Sequence, residues 1–257
     1  MSGPVIFVLI DGLALAMARQ CMSCLAAMTE SGKLRTGKYD AFLPPLSRPA
    51  YAALLSGQIP LQHGILSNEN CKAPLTDTFF HIARRAGFGT AAAAYGWFKE
   101  LCCGGDFSLT RDRFVNDAES PIQHGIFYGS DAYPDAELFA DAESLRINFN
   151  PDLLLLHCMG ADNVGHLCGG ESPQYKDAVR EIDGLLAKYL PVWLAKGYSV
   201  IISSDHGMNV EGRHYDTDQL SRSVPLWQSS EWAEKTMPRS AKEFKDCILA
   251  ELGLKAY

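Results

Sequence analysis

Three stretches of the chain share one hydrophobic pattern. Val5–Ile10 is an unbroken apolar run followed by Asp11-Gly12. Asp152–His157 holds a run of leucines and leads to Cys158-Met-Gly-Ala-Asp162. Tyr198–Ser203 contains Val-Ile-Ile and leads to Ser204-Asp205-His206-Gly207. Apolar runs of this length, closed by turn residues, read as strands buried on both faces. Each is followed by carboxylate, imidazole or glycine. Phe88–Tyr95 reads as another inner strand and Arg35–Phe42 as a shorter one.

Between the strands the apolar positions recur with helical spacing. Leu13–Thr29 ends at Ser31-Gly32, Ala50–Leu55 at Ser56-Gly57 and Thr76–Ala86 at Gly87. Pro173–Ala195 is long and amphipathic, with Ser172 before it and Pro in its first turn, and Ser240–Leu252 ends at Gly253. Alternating strands and helices predict a doubly wound α/β fold, with a mainly parallel sheet and helices on both faces. The reading is of one domain over residues 1–257, with a small insertion at about 97–150 over the active edge, helical from Asp135 to Ile147. In such sheets ligands bind at the carboxyl ends of parallel strands. Three separate strands would therefore deliver polar groups to one edge.

Composition narrows the chemistry. The 257 residues carry a formal net charge of -7, so a basic nucleic-acid-binding face is not expected. An acidic protein that handles phosphates needs local positive charge, which is a mild argument for metal ions. Neither a signal peptide nor an apolar stretch of about 18 residues, long enough for a membrane span, is legible. A cytoplasmic location is the expectation. The cysteines (Cys21, Cys24, Cys71, Cys102, Cys103, Cys158, Cys168 and Cys247) are then expected as reduced thiols.

Asp162 and His166 lie four apart, so on a helix they share a face and suit one metal. The plainer alternative is a capping Asp and a surface His. Asp205-His206-Gly207-Met208 follows a predicted strand, and His214 lies a little beyond. A loop Asx-turn is the alternative there, and a helix N-cap is the alternative for Asp11. Together, Asp11, Asp162, His166, Asp205, His206 and His214 supply three carboxylates and three imidazoles. That set suits zinc or manganese and exceeds the needs of one ion. Two ions about 4 Å apart would share it, as in phosphoryl displacement. Ser47 stands in a Pro-rich turn before a short helix, placed either as nucleophile or as helix cap.

The ordered set Asp11, Ser47-Arg48-Pro49, Gly64-Ile-Leu-Ser-Asn68, Asp162-Asn-Val-Gly-His166, Asp205-His206-Gly207-Met208 and His214 resembles the alkaline phosphatase superfamily, most closely its type I phosphodiesterase and nucleotide pyrophosphatase branch, over about residues 5 to 215. The resemblance implies an alkaline-phosphatase-like fold and two divalent ions, Zn2+ or alternatively Mn2+. One would be held by Asp11, Asp205 and His206 with the Ser47 oxygen, the other by Asp162, His166 and His214. Ser47 matches the nucleophile, and Asn68 an asparagine that binds a phosphoryl oxygen. The implied activity is hydrolysis of a small-molecule phosphate diester or pyrophosphate through a phosphoseryl intermediate. Phosphomonoester or phosphonate hydrolysis on the same core is the alternative, and a non-catalytic metal-binding module is the alternative of another class. No oligomeric state follows.

The sequence departs from the family's pattern in places. Arg48 stands where many nucleotide-cleaving relatives carry an aromatic residue, and is expected to stack or to grip an anionic substrate group. Ser47-x-Pro49 is followed by Ala50-Tyr51, which disfavours a sulfatase. Cys21-x-x-Cys24 lies mid-helix, unlike a redox pair at a helix start. His63, His81, His124 and His157 are assigned ordinary core or surface roles, and Tyr95, Trp97 and Lys99 are candidates for a pocket wall.

Overall fold

The computed structural model describes residues 3–69, 74–232 and 236–254, so Cys71 lies outside the described residues. Its strands are β1 (Val5–Ile10), β2 (Leu34–Asp40), β3 (Thr90–Tyr95), β4 (Phe114–Asn116), β5 (His124–Tyr128), β6 (Leu153–Cys158), β7 (Ser199–Ser203) and β8 (Ser223–Ser229). They form a mixed eight-stranded sheet in the order β2-β8-β7-β1-β6-β3-β5-β4. The middle, from β7 to β5, is parallel. β8 runs antiparallel to β7, and β2 to β8, while β4 is antiparallel to β5.

The long apolar runs become central strands because both their faces are covered. In β1, Ile6, Val8 and Ile10 join a core with the helices Leu15–Cys21, Ser23–Glu30, Asp135–Phe149 and Pro173–Ala195. Val5, Phe7 and Leu9 point the other way, into a core with the helices Ser47–Ser56, Phe79–Arg85, Gly96–Cys103 and Phe244–Glu251. The result is the expected doubly wound α/β sandwich.

The structure differs from the pattern reading in several places, among them the helix read from Thr76, which begins at Phe79, and the one read from Ser240, whose α-helical part begins at Phe244. The predicted helix Leu13–Thr29 is broken at Met22, because Asp183 on the helix Pro173–Ala195 accepts the N–H groups of Cys24 and Leu25 and starts a new helix there. The helix read from Ala50 begins at Ser47. β8 escaped the pattern because Pro225 interrupts its reading as a strand. Residues 97–150, read as an insertion over the active edge, instead lengthen the sheet: β5 pairs in parallel with β3 and carries β4 at the rim. The helix predicted from Asp135 is present, as Asp135–Phe149. Among the described residues no helix is long and apolar enough to cross a membrane.

Candidate metal centre and nucleophile

The parallel register brings the carboxyl ends of β1, β6 and β7 together. Ile10 is opposite Cys158, and Leu9 is opposite Ser203. Asp11 leaves β1 fully buried. Gly12 turns with φ +67°, and a Cβ there would stand 2.8 Å from Asp162 Oδ1, so only glycine lets the two segments meet. The Gly12 N–H donates to Asp205 Oδ1 at 3.3 Å. Beyond β7, Ser204 Oγ accepts the Leu13 N–H and donates to the His206 carbonyl, tying this turn to the end of β1. At Gly207 a Cβ would lie 1.8 Å from the Leu220 carbonyl oxygen. Asp162 and His166 stand one turn apart on the helix Gly160–Cys168, with Asp162 Oδ2 3.4 Å from His166 Nε2. His214 comes from the loop between β7 and β8.

All three imidazoles are oriented in the same way. Nδ1–H of His166 donates to the Gly212 carbonyl at 2.7 Å, that of His206 to Gly207 at 3.0 Å, and that of His214 to Pro45 at 2.7 Å. A carbonyl only accepts, so each proton sits on Nδ1 and each Nε2 presents a lone pair. Those lone pairs face one another and the carboxylates. His206 Nε2 lies 3.1 Å from Asp205 Oδ2 and 3.4 Å from Asp11 Oδ1, and His214 Nε2 lies 3.1 Å from His166 Nε2.

Such an arrangement repels itself unless a cation lies within it. Asp11 Oδ1, Asp162 Oδ1 and Asp205 Oδ2 are buried and have no hydrogen-bond partner. Buried oxygens of this kind are strongly unfavourable when unpaired. Asp11, Asp205 and His206 offer donor atoms within 4.8 Å of one another, as do Asp162, His206 and His214. The residues present therefore fit divalent metal ions, and the oxygen and nitrogen donors suit the metals expected from the sequence. The first group is the trio expected. In the second His206 stands where His166 was expected, while His166 Nε2 remains beside both Asp162 and His214.

Electrostatics agree with that fit. Burial, together with the charge of Asp11, pushes the Asp162 and Asp205 carboxyls well above the usual range. At Asp11 burial also works upward, but the His157 hydrogen bond and the nearby His206 outweigh it and hold the carboxyl below its usual value. Burial lowers His206, and takes His214 down to about 3, so both imidazoles stay in the neutral, ligating form.

Ser47 does not cap its helix. It is the first helical residue, after Leu46 at the cap position. Its Oγ lies 3.0 Å from His206 Nε2. Asn68 Oδ1 accepts the Arg48 backbone N–H at 3.0 Å, which leaves the Asn68 NH2 group as a donor. Arg48 is the residue expected from the sequence to stack or to grip an anionic substrate group. Its guanidinium is buried, paired with Glu100 at 2.7 Å, bonded to the Glu69 carbonyl and laid 4.4 Å over the Trp97 ring. Trp97 is thereby a wall for Arg48, Tyr95 packs edge-on against Trp97, and Lys99 bonds the Gly104 carbonyl.

Two residues beside Asp11 had no functional role assigned from the sequence: Tyr51 had none at all, and His157 was read as an ordinary core or surface histidine. Tyr51 donates its hydroxyl to Asp11 Oδ2, and His157 Nε2 lies 3.2 Å from the same oxygen. Tyr51 had a signal, since it stands one helical turn after Ser47. His157 had a weaker one, its place at the end of an inner strand opposite Leu9. His63, His81 and His124 make local contacts with the Ile65 N–H, Thr78 and Phe149 respectively. Burial raises the Cys21 and Cys24 thiols, the opposite of what a reactive redox pair needs.

Known proteins share this fold. Similar folds occur in the C-terminal periplasmic domain of EcEptC from Escherichia coli (TM-score 0.66, 12% identity, 98% of this chain and 83% of that one) and in murine ectonucleotide pyrophosphatase / phosphodiesterase 5 (TM-score 0.59, 17% identity, 80% and 57%). Another is phosphonoacetate hydrolase from Sinorhizobium meliloti (TM-score 0.56, 22% identity, 80% and 56%). Among curated sequences, the catalytic subunit of human GPI ethanolamine phosphate transferase 2 is 23% identical over 205 residues, covering 77% of this chain, which spans 20% of that protein's length. GPI ethanolamine phosphate transferase 2 of Candida albicans is 39% identical over 64 residues, 24% of this chain and 7% of that protein. The model of the type I phosphodiesterase / nucleotide pyrophosphatase family matches residues 5–232. With most of its length so matched, the chain belongs to the type I phosphodiesterase / nucleotide pyrophosphatase family.

Proposed function

We propose that the chain is a metal-dependent hydrolase of phosphate diesters or pyrophosphates with Ser47 as its nucleophile. One observation carries the reading: Ser47 Oγ, at a helix start, adjoins His206, the residue common to both donor groups. Asp11, Asp205 and His206, with Ser47, would hold one ion, and Asp162, His166 and His214 the other. Zn2+ suits these donors, with Mn2+ as the alternative. Bound there, the ions would supply Lewis-acid stabilisation of phosphoryl charge and favour the ionised serine hydroxyl.

The chain's own residues do the rest. The N-terminus of the helix Ser47–Ser56 directs its positive end at the phosphoryl group, and the Asn68 NH2 group is a second donor for a phosphoryl oxygen. Ser47 Oγ loses its proton and bonds to phosphorus while the P–O bond to the leaving group breaks, and the leaving oxygen takes up a proton. Water then bonds to phosphorus, the Oγ–P bond breaks, and Oγ regains a proton. Arg48 takes no direct part; its pairing with Glu100 and its place under Asn68 stiffen the turn that carries the nucleophile.

A second reading, transfer of the phosphoryl group from Ser47 to an alcohol other than water, is favoured by the names of the curated relatives. It is also favoured by the exposed apolar residues Leu43, Leu66, Leu167, Val210 and Tyr215, which lie close in sequence to Pro45, Asn68, His166, Gly212 and His214. Exposed apolar side chains at those positions suit a substrate or acceptor with a hydrocarbon part.

Bis-p-nitrophenyl phosphate and p-nitrophenyl phosphate, given to the zinc-loaded protein and to its Ser47→Ala variant, test the first reading. The diester is the preferred substrate, and the variant keeps its zinc but loses roughly a thousandfold or more in turnover. Preference for the monoester points to a phosphatase. A variant as active as the wild type refutes Ser47 as nucleophile.

A further inference from the structure

The three candidate ligand carboxylates are held in different ways. Asp205 is anchored through Oδ1 by the Gly12 N–H. The Asp162 carboxylate contacts only the imidazoles of His166 and His214 among the polar side chains described. Asp11 alone is anchored by two side chains at one oxygen: the Tyr51 hydroxyl and His157 Nε2 both address Oδ2, while Oδ1 is left without a hydrogen-bond partner on the side of His206.

The proton on His157 can be placed. A carboxylate only accepts, so Nε2 carries a hydrogen and donates it to Asp11. On the far side of the ring, Tyr128 Oη lies 2.9 Å from Nδ1 and 2.8 Å from the His157 carbonyl oxygen. Its single hydroxyl proton serves one of these two, and either choice leaves the Nε2–H in place. The ring is also fixed mechanically. Tyr51 packs edge-on to it at 4.9 Å, and Phe98 stands 4.9 Å away. Asp11, Tyr51 and His157 are fully buried and Tyr128 nearly so, so water does not compete for these bonds.

We infer that His157 and Tyr51 are positioning residues, backed by Tyr128, that clamp Asp11 through Oδ2 and so offer a single oxygen, Oδ1, to the ion at the Asp11–Asp205–His206 group. The inference rests on the metal-centre reading above and goes beyond it. It makes the two ion sites unequal, the Asp11 site being preorganised and the Asp162 site less so. Outer partners of this kind orient ligands and set affinity without touching the metal. Here a histidine performs that role behind a carboxylate ligand rather than serving as a ligand.

Zinc titration against a chromophoric chelator tests this on the full chain, with substitutions that remove one clamp at a time. The wild type binds two equivalents, one tighter than the other. In His157→Leu and in Tyr51→Phe the tighter equivalent weakens by about 10- to 100-fold while the other is unchanged. His157→Gln, which returns an N–H donor to the position of Nε2, recovers most of the loss. A general structural fault would not produce that rescue or spare one equivalent. Tyr51→Phe removes only a hydroxyl, so the test does not depend on a folded His157→Leu variant. Unchanged zinc binding in both variants, or equal weakening of both equivalents, overturns the clamp. A wild type that binds no zinc refutes the metal-centre reading itself and the clamp with it.

Discussion

The two halves of the candidate centre are built on different supports. Asp11, Asp205 and His206 hang from the ends of β1 and β7, strands paired directly with each other, and their side chains are 0% exposed. Asp162, His166 and His214 come from a helix and a long loop, and the His166 side chain is 36% exposed. What joins helix to loop is a hydrogen bond from His166 to the Gly212 carbonyl, together with close backbone packing of Gly212 against Gly165. Ladder hydrogen bonds fix the first half. The second rests on a helix and on loop backbone, held by contacts such as the Gly170 N–H to the Asn209 carbonyl and His214 Nδ1–H to the Pro45 carbonyl. The lesson is that one sheet edge can carry a rigid, strand-borne group of metal-type donors beside one borne on a helix and a loop, with His206 in both.

Breaking the comparison outright gives the largest effect. Asp205→Ala removes a ligand from the rigid half, and zinc titration should show its tight equivalent gone, with turnover lost. His166→Ala should spare the tight equivalent and weaken the other by at least about 100-fold, beyond the loss typical of an outer partner. Equal losses at both equivalents in His166→Ala would show that the halves do not behave separately.

A smaller, graded effect should come from pH. Asp162 and Asp205 have carboxyls raised well above the usual range, so in the metal-free protein they keep protons at pH values where ordinary carboxylates are ionised. Zinc must displace those protons, so affinity rises with pH through that range and levels off once both groups are ionised. The buried imidazoles of His206 and His214 have lowered pKa values and add no competing proton there. The same sign applies to stability. Raised carboxyls favour the metal-free fold at low pH and lose that contribution as pH rises through their folded values, so zinc should stabilise the fold more at higher pH. Calorimetric zinc titrations in buffers of different ionisation enthalpy measure the protons released. A dissociation constant independent of pH, with no proton release, would contradict the assignment.

The inner strands that lead to both halves were the most legible part of the sequence. β1, β6 and β7 are buried on both faces, so their composition alone marked them, and the polar residues just beyond them had to share an edge. The short strands β4 and β5 and the Pro-containing β8 carry too little pattern to stand out. The helix break at Met22 depends on Asp183, and the fate of Arg48 depends on Glu100; local spacing reports neither partner. Ser47 and Asn68 were legible through family resemblance, because a serine before a helix also reads as a cap. His157 looked like an ordinary histidine because its partners, Asp11, Tyr51 and Tyr128, sit on three separate elements.

The most direct test of the central claim is to trap the reaction on the chain. The zinc-loaded protein, mixed with bis-p-nitrophenyl phosphate and quenched in acid, should yield a phosphorylated peptide whose modification maps to Ser47 by mass spectrometry, absent from Ser47→Ala. Turnover with no phosphoserine at position 47, or with the phosphate on another residue, would contradict the account.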